Sequence, residues 1–161
     1  MACLNTLRSV IAGIVFGMAV FSAQAAGNSG LPEILTVNSQ QPFDTVIQRL
    51  EKSIAEHKMG LVAQASASKG AASKGIKIPG NAVLMVFRPD FAVRMLKASI
   101  PAGFEAPLRI YVTENTDGTT SVSYRTPSVI FAPYQNADLD VLARELDPIF
   151  AGIVGDAVSG R

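Results

Sequence analysis

Apolar residues recur along this chain with two periods, and the changes of period mark its elements. Ile34, Leu35, Thr36 and Val37 place a first strand over Glu33–Ser39. Phe43, Val46, Ile47, Leu50 and Ile54 share one helical stripe, which predicts a helix over Phe43–Lys58. Pro42 suits its first position, Asp44 complements the positive end of the helix dipole, and Gly60 suits a C-terminal cap. Leu61–Ala67 reads as a second strand. Ser66–Gly80 is small, polar and basic, a loop or a weak short helix. Val83–Phe87 is continuously apolar, the pattern of a central strand buried on both faces.

Pro89–Ala98 reads as a second, shorter helix, and Ile100–Pro107, with Pro101, Gly103 and Pro107, as a loop. Leu108–Glu114 alternates: Leu108, Ile110 and Val112 point one way, Arg109, Tyr111 and Thr113 the other. Thr119–Arg125 alternates again after an Asp117-Gly118 turn, so the two form a hairpin. Thr126–Pro133 is irregular. Asp138–Val154 is a third helix with Leu139, Leu142, Leu146, Ile149 and Ile153 on its apolar face; Pro148 should kink or break it. Strands interrupted by helices, with one hairpin, predict an α+β fold: an antiparallel sheet of about five strands with helices packed on one face.

The N-terminus changes the setting. Arg8 precedes an apolar run, Val10–Phe21, and Ala23-Gln24-Ala25 matches a signal-peptidase site. This predicts a cleaved signal peptide over 1–26, a lead-in over 27–32, one domain over 33–157 and a tail over 158–161. The expected location is the periplasm or outside a bacterial cell, with no stable membrane span after cleavage and the alternative of an uncleaved anchor. Cleavage removes Cys3, the only cysteine, and with it thiol, disulfide and cysteine–metal chemistry. It also removes Arg8, bringing a net charge of +1 to zero. Neutrality and export disfavour nucleic acid. Charge is still uneven: Lys52 to Lys97 holds eight basic residues and two acids, which is either a solvated surface or a patch for an anionic partner.

From Thr36 onward the chain resembles the bacterial domain of unknown function 302 (DUF302). The resemblance rests on three stretches: Pro42-Phe43-Asp44 to Ile47, running on to Gly60; Val83–Leu96; and Pro107-Leu108-Arg109 through Asp117-Gly118 to Tyr124. It implies a single α+β domain with a curved antiparallel sheet, similar to TATA-binding-protein-like folds, and a homodimer. It implies no agreed activity. Arg88-Pro89 stands where many members have Asn-Pro, and small residues and lysines over Ser66–Lys74 replace an Asp-His pair found in others. A site built on those residues is not carried over.

The candidate chemistry is thin. His57, the only histidine, is either a helix-end residue satisfied at the core edge or an axial haem ligand, with Met59, Met85 or Met95 as the second. The methionines are otherwise core filler. Gly70–Gly75 lacks the Gly-Lys-Ser/Thr ending of a phosphate loop, because Ile76 follows Gly75. Ser66-x-x-Lys69 lacks the rest of a penicillin-binding enzyme's machinery, and no Gly-x-Ser-x-Gly elbow exists for a triad. A metal site is not expected with one histidine and no retained cysteine. Asp138 and Asp140 sit at a helix start, where acids serve the dipole. Arg88, at a strand end before a helix N-terminus, could present a cation to an anion, with Arg109 and Tyr111 lining the same surface; otherwise Arg88 pairs with an acid such as Asp90. The expectation is a non-enzymatic domain binding a small molecule, haem or another anionic, largely apolar compound. The alternative is a dimeric structural or interaction module of the cell envelope; a hydrolase is least favoured.

Overall fold

The computed structural model of the chain describes residues 33–160. The expected signal peptide over 1–26 and lead-in over 27–32 lie outside them. In order come β1 (Leu35–Ser39), α1 (Phe43–Glu56), β2 (Gly60–Ala65), α2 (Ala67–Ala72), β3 (Asn81–Phe87) and α3 (Pro89–Ala98). After a 3-10 turn at Pro101–Glu105 come β4 (Leu108–Glu114), β5 (Thr120–Tyr124), α4 (Pro127–Phe131), a second 3-10 turn at Ala132–Tyr134 and α5 (Ala137–Ser159). The strands form one open antiparallel sheet in the order β1-β5-β4-β3-β2. The α+β expectation holds.

Alternation assigns the faces. Ala82, Leu84 and Val86 of β3, Leu108, Ile110 and Val112 of β4, and Val122 and Tyr124 of β5 are buried. They share one core with Val46, Leu50 and Ile54 of α1, Phe91 and Met95 of α3, and Leu139, Phe150 and Ile153 of α5. Side chains that alternate with them point to the other face. There Val83, Met85 and Phe87 are half-buried and Arg109 and Tyr111 exposed. Burial of β3 on both faces was expected and is not found, because α1, α3 and α5 cover one face only.

Two expectations about helix ends change. Pro42 is the N-cap of α1, not its first residue, and Gly60 opens β2 rather than capping the helix. The cap is a Schellman turn: Met59 N–H donates to Ile54 C=O at 2.9 Å and Lys58 N–H to Ala55 C=O at 2.9 Å. Lys58 takes the left-handed position at φ 58°. Ile54 and Met59, on either side of the turn, are both buried in the same core. Lys58→Gly removes the Cβ clash of that backbone conformation. It should raise stability by about 0.5–1 kcal/mol, read as a higher urea midpoint at unchanged slope.

Pro148 neither breaks nor ends α5, which continues to Ser159, past the expected end at Val154 and into the expected tail. A helical proline forfeits one hydrogen bond. Here buried Leu146, Phe150, Ile153, Val154 and Ala157 hold the two sides of Pro148 on one core. Asn136 caps the start, its side-chain oxygen accepting from Asp138 N–H and Leu139 N–H, and Gly160 closes the end at φ 76°. The doubtful Ser66–Gly80 segment contains one real helix, α2, because Ser66 Oγ caps it by accepting from Lys69 N–H at 3.1 Å. The 3-10 turn at Pro101–Glu105 and α4 form where loop was expected, each with a proline in its first turn.

Candidate functional site

A cleft of about 320 Å³ opens at the end of the sheet where β4 begins and β5 ends. Ile34, Val83, Leu108 and Ile130 form its apolar walls, and Arg109, Tyr111, Ser123, Arg125 and Glu105 its polar ones. The hairpin explains why two arginines meet there. Ile110 pairs with Tyr124 and Tyr111 with Ser123. Arg109 lies one residue before the first position of β4 that pairs with β5, and Arg125 one residue past the end of β5, so both reach the same cleft. Like charges on adjacent strands repel, and neither arginine joins an ion pair among the described residues.

Fixed polar groups surround the pair. Asn81 Nδ2 donates to the Tyr111 hydroxyl, and Ser123 Oγ lies 2.9 Å from Thr36 Oγ1. The Tyr134 hydroxyl donates to Glu105 Oε1 at 3.0 Å. Burial, and then the hydrogen bond to Glu105, push the Tyr134 phenol above its usual range, so it stays a donor. Tyr124, at the foot of the cleft, is raised by burial and by the charge of Asp147.

Of the residues singled out in the sequence, Arg109 and Tyr111 come together here. Arg88 does not. Its Nε donates to Asp90 Oδ1 at 2.7 Å and its guanidinium lies 3.9 Å from the Phe91 ring centre. That hydrogen bond to Arg88 holds the Asp90 carboxyl below its usual range. The anion expected beside Arg88 is supplied by the chain itself.

The structure does not gather the candidate haem ligands. Met59 and Met95 line an apolar pocket of about 30 Å³ within the core. Met85 is on the opposite face of the sheet, paired with Arg109. His57 Nε2 lies 2.9 Å from Asp156 Oδ2 of α5, its ring so close to Gly152 that a Cβ there would be 2.5 Å from Cε1. His57 thus ties the end of α1 to α5. Among the described residues no group of three or more His, Cys, Asp or Glu could hold a metal, and no helix is long and apolar enough to cross a membrane.

Arg125 and Glu105 were missed. Counting outward along both strands from the Asp117-Gly118 turn would have found Arg125. Glu105 had no local signal, since it reaches the cleft only through the packing of the 3-10 turn against Tyr134.

The family described as "Domain of unknown function DUF302" matches residues 35–154. The crystal structure of an uncharacterized conserved DUF302 protein from Bacillus stearothermophilus is similar, with a TM-score of 0.69 and 23% identity, covering 78% of this chain and 97% of that one. At that identity the likeness concerns the fold alone. No curated protein matches the chain.

Proposed function

This chain belongs to the DUF302 family of domains of unknown function, and from that premise we propose that it binds a small anionic, largely apolar molecule in the cleft on the open face of the sheet. The observation that carries this reading is that Arg109 and Arg125 line one cleft with no ion pair to either among the described residues. Without an anion the two guanidinium groups repel each other. A carboxylate or phosphate between them turns that repulsion into charge-assisted hydrogen bonds. Ile34, Val83 and Ile130 would cover the apolar body, and the volume is that of a small-molecule site.

Binding is favoured over hydrolysis because the cleft lacks a base–nucleophile pair. Ser123 Oγ is engaged with Thr36, and His57 is held at α5. Haem is not the ligand proposed, since its candidate ligands are dispersed. Export to the periplasm or beyond is part of the proposal and rests on the composition of residues 1–26 alone. A second reading, a homodimer or interaction module, draws on half-buried Val83, Met85 and Phe87 beside the cleft. Sedimentation of the purified protein tests the homodimer, and a monomer at all concentrations removes that form of it.

Calorimetric titration with 3-phenylpropanoate tests the binding reading. Saturable binding is expected, with Arg109→Ala and Arg125→Ala each weakening it by about tenfold or more. Without ligand, Arg125→Ala should leave stability unchanged or raise it by a few tenths of a kcal/mol, since it relieves like-charge repulsion. Binding that ignores both substitutions removes the proposal.

A further inference from the structure

Resting on that reading of the cleft, we propose that the ligand is dipolar: an amino-acid-like molecule whose carboxylate bridges Arg109 and Arg125 and whose protonated amine is received by Glu105. The cleft contains charge of both signs, yet no ion pair joins Glu105 to either arginine. A half-buried glutamate lining one cleft with two arginines that have no ion-pair partner would ordinarily swing over to them. Glu105 is restrained by the Tyr134 hydroxyl on Oε1, while Oε2 accepts no hydrogen bond among the described residues. Its backbone ends a 3-10 turn, so both ends of the side chain are held. The chain thus sets an anion and two cations around one cleft of about 320 Å³ without joining them in an ion pair. A monopolar carboxylate satisfies the arginines and leaves Glu105 desolvated without a counter-charge, which is costly. A molecule with both charges satisfies both ends, and Ile34, Val83 and Ile130 cover its apolar side chain.

L-phenylalanine and 3-phenylpropanoate share a carbon skeleton and differ by the ammonium group. Titrated calorimetrically into the purified protein, phenylalanine should bind tighter by about tenfold or more, the range of a charge-assisted hydrogen bond. Glu105→Gln keeps the shape and an acceptor for Tyr134, so it should abolish that preference while leaving phenylpropanoate affinity within about threefold. If phenylpropanoate binds as tightly as phenylalanine, or if Glu105→Gln retains the preference, the dipolar inference is overturned and the anion-binding reading stands. If neither compound binds, both are overturned.

Discussion

Phe150→Ala is expected to lower the unfolding free energy by about 3–5 kcal/mol, a large part of the 5–15 kcal/mol typical of a domain. Phe150 is 1% exposed. Its ring lies 6.4 Å from that of Tyr124, nearly parallel at 29°. It stands two residues after Pro148, where α5 has already given up a backbone hydrogen bond and depends on side-chain packing to continue. Truncation leaves a cavity between helix and sheet and removes the dispersion contacts that hold this turn down. Tyr124 also lines the cleft, so the same change should loosen the cleft's floor and weaken anion binding as well as stability. Urea unfolding measures the first effect. A loss under about 1.5 kcal/mol would mean that α5 does not seat on the sheet as described.

Gly80→Ala, a change of one methyl group, should destabilise by about 1–3 kcal/mol. A Cβ at Gly80 would sit 2.5 Å from Cγ of Phe43 and 2.8 and 2.9 Å from its Cδ atoms. Neither side can easily withdraw. Phe43 is the first residue of α1 and almost wholly buried. The Gly80 backbone is clamped by Glu114: its N–H donates to Glu114 Oε2 at 2.7 Å, and its C=O accepts from Glu114 N–H at 2.8 Å. Gly70, inside α2, is the control, because a Cβ there meets nothing within 4 Å. Gly70→Ala should stabilise by roughly 0.5–1 kcal/mol through helix propensity. Thermal or urea unfolding of the two variants should therefore move in opposite directions, and equal shifts would discount the packing of Phe43 on Gly80.

These glycines show where reading the chain stops. In sequence both punctuate one small, polar, basic stretch and look alike. What separates them is Phe43, far away along the chain. The stripe of Phe43, Val46, Ile47, Leu50 and Ile54 was legible as a helix because its spacing needs only one element to be seen. The hairpin was legible for the same reason, and it placed Arg109 and Tyr111 on one face together. It was not enough to place Arg88, whose charge is paired with its near neighbour Asp90. Nor could it show that Met85 faces away from the core, since the faces of β3 differ only once helices cover one of them.

Periodicity, turn chemistry, charge and the near absence of cysteine belong to the chain itself, and they determined the elements, the α+β class and the chemistries left open. The tertiary structure decided which face of the sheet is covered, that α5 passes Pro148 unbroken, and that Lys58 takes a left-handed turn. It also brought Glu105, hydrogen-bonded by Tyr134, to the cleft that Arg109 and Arg125 line. The physical reason is the range of the interactions. Spacing and capping act over a few residues, whereas the strand order β1-β5-β4-β3-β2 joins the first strand to the last, and only that pairing determines which distant side chains share a space.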